Sequence, residues 1–327
     1  MTVLSSRSRS PLGVLARAGH ARSARSGALL MAFAVALSAL GVGCGDRTES
    51  GSDAEVEPTG LGNEVTMPIA AAMTTVVHHG DEPRSLLRPD IAPGTAQQVT
   101  LSTEHHVEQQ LNDQPMRDFS PPSVSIPLTA RTSQDGIDLT LGAATSPDPT
   151  LSQQLLAADG SHAGFQFGEL GSVTALRLAP KPATPDTARL ALEQAFYQAV
   201  YQSITLPKEP VGEGAVWSVH QQVSASTGLL LDQITTATLT KREGKRLTIQ
   251  LDVKQTPKTQ VWKLPNNAGS LDILNYLMHG SGTIDVDLGL PLPVSGSVTL
   301  GGHQSYRDPH TKVALRQNIS TQVQWGE

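Results

Sequence analysis

Alternation of apolar and polar residues is the commonest pattern along this chain. In QVTLSTEHHVEQQL, Val99, Leu101, Thr103, His105, Val107 and Leu111 fall on one parity, and Thr100, Ser102, Glu104, His106, Glu108 and Gln110 on the other. Successive side chains of a strand point to opposite faces. The spacing therefore predicts a strand with His105 inward and Glu104, His106 and Glu108 on the wet face. Val124, Ile126, Leu128 and Ala130 lead through an Asp135-Gly136 turn signal to Ile137, Leu139 and Leu141, which predicts a hairpin. TTATLTKREGKRLTIQLDV predicts another, turning at Gly244, and Val313, Leu315, Ile319, Val323 and Trp325 share one face at the end of the chain.

Two segments shift to a helical period. Thr184 is placed as an N-cap, with Pro185 in the first turn and Asp186 near the positive helix end. Ala188, Leu192, Ala195, Phe196, Ala199, Val200 and Ser203 then recur at steps of three and four, up to Pro207. In SLDILNYLMHG, Ser270 is placed as the cap and Leu271, Leu274, Leu277 and Met278 as the inner face of a shorter helix. Meanders plus helices predict an α+β fold, in which two tandem curved antiparallel β-sheet units carry helices packed on one face.

The tandem reading comes from self-similarity. PDIAPGTAQQVTLSTEHHVEQQL lies on PKEPVGEGAVWSVHQQVSASTGLLL at an offset of 118, matching Pro89 to Pro207, Gly94 to Gly212 and Val99 to Trp217. Residues 85–205 and 206–327 are the two expected units.

The N-terminal end reads differently. Arg7, Arg9, Arg17, Arg22 and Arg25 precede the uncharged run GALLMAFAVALSALGVG, a secretory signal over residues 1–43 whose apolar part is shorter than the roughly 20 residues that span a bilayer. Leu40, Gly41, Val42, Gly43 and Cys44 resemble the lipobox of bacterial lipoproteins, in which the cysteine becomes the lipidated first residue of the mature chain. That resemblance implies a secreted protein held to a membrane through lipid on Cys44, facing the periplasm or the cell exterior. Residues 44–84 follow as an acidic tether too polar at its start to bury a core.

Charge and cysteine usage narrow the partners. Without the five leader arginines, 19 basic residues face 30 acidic ones, a net charge of −11. Such a body repels polyphosphate, so nucleic acid is excluded as an expected partner. The basic residues are scattered in sequence, and no run of them marks a basic patch. Cys44 is the only cysteine, which removes internal disulfides, multi-cysteine zinc sites and Cys-x-x-Cys redox pairs.

Candidate chemistry is sparse. Glu104, His106 and Glu108 stand at i, i+2 and i+4, about 7 Å between neighbours along a strand. Metal bonds are near 2 Å, so the set ligates an ion only with help from a neighbouring strand; otherwise it is a solvated face. His78, His79, His220, His279, His303 and His310 have no HExxH-like spacing, and Asp285 and Asp287 alternate with Ile284, Val286 and Leu288 as on an exposed strand face. There is no G-x-S-x-G elbow and no P-loop. No cofactor and no catalysis are expected, and an enzyme remains only as a hydrolase or metalloenzyme whose site is assembled in three dimensions.

LPKEPVGEGAVWSV followed by TTATLTKREGKRLTIQLDV resembles a group of bacterial envelope lipoproteins of unknown role that share a P-x-x-x-V-G-x-G-x-x-W opening to a strand and a meander with a glycine turn. The resemblance covers residues 206–253 and implies secretion and a β-rich fold. A curved sheet with helices on its concave side is also similar to half-barrel lipid and lipoprotein carriers. It implies non-catalytic binding of an apolar ligand or an envelope protein, with Leu192, Phe196, Val200, Leu274, Leu277 and Met278 lining the space between sheet and helices. The rival expectation is a structural or interaction lipoprotein without a small ligand.

Overall fold

Residues 64–326, apart from 134–135, 169, 225–227 and 266–267, are described by a computed structural model. The signal segment, Cys44, Asp135 of the turn signal and most of the acidic stretch lie outside the described residues.

The first strands are β1 (Val65–Pro68), β2 (Met73–His78), β3 (Ala96–Leu111), β4 (Arg117–Asp118), β5 (Val124–Thr132) and β6 (Gly136–Leu141). Helix α1 (Pro149–Leu155), β7 (His162–Phe167), β8 (Val173–Ala179) and helix α2 (Asp186–Tyr201) come next. The second half is β9 (Val216–Ser224), β10 (Leu230–Glu243), β11 (Arg246–Pro257), β12 (Val261–Lys263), β13 (Ser270–Asp287), β14 (Ser295–Arg307) and β15 (Ala314–Gly326). All belong to one 15-stranded sheet in the order β1-β8-β7-β6-β5-β3-β15-β14-β13-β11-β10-β9-β2, with β12 on β13 and β4 on β3.

This corrects the expected α+β class. The chain is mostly antiparallel sheet. The helix expected at SLDILNYLMHG is the start of β13, an 18-residue strand. Leu271 and Met278 point inward there, whereas Leu274 and Leu277 stand 50% and 56% exposed. Helices do not form a layer: α2 is one element enclosed by the sheet, and α1 is a short turn whose N-cap Asp148 accepts from the Leu151 N–H at 2.7 Å.

Two meanders lie side by side, β3-β5-β6-β7-β8 and β9-β10-β11-β13-β14-β15, continuous where β15 pairs with β3, in one sheet rather than two units. The turns that lead into β3 and β9 are alike. Thr95 N donates to the Ala92 carbonyl as Ala215 N does to Gly212, both at 3.1 Å, and Gly94 and Gly214 share a φ of +79°. These turns match at an offset of 120, where the sequence comparison has 118. A shift of two preserves which face each side chain occupies, so the alternation alone did not fix it.

The two ends of the strand order meet. Only Ile69–Ala72 separate β1 from β2, a stretch of chain that spans at most about 18 Å. Twelve flat pairings of about 4.8 Å would set them roughly 58 Å apart. The sheet therefore curls back on itself. An even number of antiparallel steps also makes β1 and β2 run the same way, so residues 65–78 act as one strand whose first part pairs with β8 and whose second part pairs with β9.

Close backbone approach at β13 and β14 helps the wall bend. A Cβ on Gly282 would lie 2.2 Å from the Ser297 carbonyl oxygen, and one on Gly302 would lie 1.7 Å from that of Leu277. Glycine at such positions lets a sheet turn a barrel corner.

Inside the curl, α2 contacts β3, β5, β8 and β15. On its other side the Tyr197 hydroxyl donates to the Ser224 carbonyl of β9, and Gln233 Nε2 of β10 donates to the Tyr201 carbonyl, both at 2.8 Å. The helix is thus ringed by strands, which is why its apolar stripe (Ala188, Leu192, Ala195, Phe196, Ala199) and parts of its opposite face are all buried. A second core joins Leu87, Val211, Trp217, Leu239, Leu247, Ile249, Ile284 and Val298. Burying each such large side chain contributes about 1.5–3 kcal/mol before entropy is counted.

Candidate functional site

The V-G-x-G-x-x-W stretch is structural in this fold. Val211 exchanges backbone hydrogen bonds with Ser85 at 3.0 and 3.1 Å, and a Cβ on Gly212 would lie 1.7 Å from the Asp81 carbonyl oxygen. Trp217 is fully buried, and its Nε1 donates to the Thr205 carbonyl at 2.9 Å. The motif locks the loop after β2 and the loop after α2 onto the start of β9.

Leu192, Phe196 and Val200 are buried on α2. Leu192 and Phe196 border a crevice of about 10 Å³ shared with Leu141, His162, Leu178 and Glu193, too small for more than a water. Burial raises the Glu193 carboxyl above its usual range, against the opposing pull of Arg189. Met278 sits in the inner core, while Leu274 and Leu277 face outward on β13.

Glu104, His106 and Glu108 occupy the outer face of β3, as the alternation requires. His106 Nε2 is 3.6 Å from Glu104 Oε2, whereas Glu108 accepts from Asn318 Nδ2 at 3.1 Å, and Asn318 Oδ1 meets His303 Nδ1 at 2.7 Å. No group of three or more His, Cys, Asp or Glu side chains placed to hold a metal ion occurs among the described residues. Asp285 accepts from Thr248 Oγ1 at 2.7 Å and Ser295 Oγ at 3.0 Å, and Asp287 caps the Gly289 N–H at 2.8 Å. Both carboxylates are committed to strand ends and turns.

His105 faces inward with Nδ1 2.8 Å from Thr321 Oγ1. Burial, reinforced by the neighbouring His106, lowers its pKa to about 4, so the ring is neutral at physiological pH. It belongs to an inward polar set that alternation does not announce. Gln233 accepts from Gln255 Nε2 at 2.8 Å, Gln304 accepts from the Tyr306 hydroxyl at 2.5 Å, and Gln109 and Gln317 are opposite each other and buried. The side-chain oxygens of Gln198 on α2 and of Gln202, just past its last residue, are buried without a hydrogen-bond partner.

A larger opening lies at the rim. Pro89 and Ile91 from the loop before β3, Ser133 and Gly136 at the β5–β6 turn, and Gln166, Phe167 and Thr174 of β7 and β8 line a groove of about 810 Å³. That volume is within the range of small-molecule sites. Phe167 packs edge-on against Phe165, and Phe165 against Phe196 of α2, with ring centroids 6.3 Å apart in both pairs. A line of aromatic rings therefore runs from the groove to the central helix. Nothing in the sequence brings Pro89 and Ile91 to Phe165 and Phe167.

Most large apolar side chains of the described residues are buried, with glutamines and threonines among them. Among the described residues no helix is long and apolar enough to cross a membrane. No protein-family model matches the chain, and no curated protein matches it.

Proposed function

We propose that this is a lipid-anchored envelope protein that binds without catalysis, and that its ligand sits in the rim groove rather than between sheet and α2. The observation that carries the reading is the groove of about 810 Å³ whose Phe167 begins the aromatic line to Phe196. Pro89, Ile91 and Phe167 offer an apolar floor, and Ser133, Gln166 and Thr174 offer hydrogen bonds at its edge. More of the groove's exposed lining is polar than apolar and the groove is open, so it suits a ligand with several hydrogen-bonding groups beside an apolar part. Lipid on Cys44 holds the barrel to the membrane in this reading, and the acidic segment gives it reach.

The test is native mass spectrometry of the chain purified from its own host, followed by denaturing extraction of whatever is bound. A co-purifying molecule with hydrogen-bonding groups and an apolar part, lost in Phe167→Ala and Ile91→Asp, is the expected result. A clean unliganded mass, or a molecule retained in both variants, refutes the groove.

A further inference from the structure

The fold gathers on one corner of the outer wall what the sequence scatters. Leu230 and Ile234 of β10, Val261 of β12, and Leu274 and Leu277 of β13 are 37–56% exposed, and they are five of the eleven exposed large hydrophobics among the described residues. The register sets them on one outer face at one end of β10 to β13, with Asp232, Lys254 and Thr256 between them. Ile234 lies opposite Lys254, and Lys254 opposite His279, the position two residues on from Leu277. Lys258 N donates to the Leu230 carbonyl at 3.0 Å, and Ile273 N donates to the Gln260 carbonyl at 2.9 Å, which ties Val261 and Leu274 to the same end. Single exposed leucines need no explanation, but a cluster does.

The charges of the corner indicate what covers it. Asp232 is engaged by Lys258 at 3.7 Å and Asp252 by His279 at 2.9 Å, while Asp272 stands opposite Val261 on one side and Arg307 on the other. Lys254 and Lys263, the latter two residues from Val261, have no ion-pair partner among the described residues. Lys254, Lys258, Lys263 and Arg307 against Asp232, Asp252 and Asp272 leave the corner one positive charge in excess on an otherwise acidic chain. Exposed aromatic anchors, the usual core of a protein interface, are missing from the corner, since Trp262 is turned inward at 5% exposure. Aliphatic side chains ringed by lysines, whose stems lie along apolar surface while the ammonium stays wet, match the headgroup layer of an anionic bilayer.

We propose that this corner rests on an anionic lipid surface and so fixes which side of the barrel faces the membrane; the proposal rests on the reading of Cys44 as a lipid anchor. The full chain, isolated from bacterial membranes, is reconstituted in phosphatidylethanolamine–phosphatidylglycerol vesicles or in phosphatidylcholine vesicles. A nitroxide is placed at Leu277→Cys or, as a control on the far end of the same wall, at Gln250→Cys. On the anionic vesicles, access of a water-soluble nickel complex to position 277 is expected to fall at least about threefold, with no change at 250. Lys254→Glu with Lys263→Glu is expected to abolish that protection.

Equal access at 277 and 250 on vesicles that carry the protein overturns the corner and leaves the anchor standing. A chain that does not float with vesicles overturns both. Protection that is as strong on phosphatidylcholine, or that appears only when envelope proteins are added, overturns the anionic-lipid assignment.

Discussion

Thr174 of β8 and Gln221 of β9, on opposite flanks of the closing strand, are bonded to consecutive residues of one short connection: Ile69 N donates to the Thr174 carbonyl, and Gln221 Nε2 donates to the Ala70 carbonyl, both at 2.9 Å. The sheet is therefore closed by hydrogen bonds to both sides of the same chain segment.

Gln221→Met keeps the length of the side chain and removes its donor. It is expected to lower unfolding free energy by about 0.5–1.5 kcal/mol and to speed amide exchange in both β1 and β2. Exchange that accelerates in β9 alone refutes the shared closing strand.

At the bent corner, Gly302→Ala would press a methyl group against the Leu277 carbonyl, whereas Gly214→Ala meets nothing within 4 Å and suffers only from its φ of +79°. The expected losses are about 3 kcal/mol or more for the first and about 1 kcal/mol for the second. Urea denaturation of the two variants side by side decides it.

His105 is held neutral by burial, with its pKa lowered from 6.5 to about 4. Between those values the unfolded chain binds a proton that the folded chain does not, so the stability His105 supports is present above pH 6.5 and is lost as pH falls toward 4. The loss is on the order of 3 kcal/mol. Other groups titrate over the same interval, so the measurement is the difference in urea midpoint between the wild type and His105→Gln, which lacks this component.

Gln202 and Gln233 separate a costly polar burial from a satisfied one. The Gln202 oxygen has no partner, while Gln233 both donates to Tyr201 and accepts from Gln255. Gln202→Met is expected to be neutral or to stabilise by about 1 kcal/mol, and Gln233→Met to destabilise by about 2 kcal/mol because it orphans two groups. Equal effects in thermal or urea unfolding run against this account.

Much of the wall was legible from alternation: Val99, Leu101, Thr103 and Val107 of β3 are buried, and Glu104 and Glu108 are exposed or nearly so. The helix at 186–201 was equally plain. The start of β13 was not, for a specific reason. A register shift between Ile273 and Asn275 interrupts the period of two and leaves Leu271, Leu274, Leu277 and Met278 at spacings of three and four that imitate a helix face. The inward glutamines carry no apolar signal of their own, and their burial depends on partners that the fold supplies, Gln97 with Leu292 and Gln233 with Gln255. Sheet closure was hidden too, since only the strand order reveals that 65–78 serves both ends.

The closing strand also sets an order of assembly. Val65 pairs with Leu178, Met73 with His220 and Leu111 with Leu315, contacts that each close a loop of more than about a hundred residues, whereas strands within each meander pair with sequence neighbours. The earliest-made strand of the barrel must wait for partners that leave the ribosome much later. Folding is therefore expected to run from local hairpins within each meander to ring closure, with the β1–β8, β2–β9 and β15–β3 pairings made last.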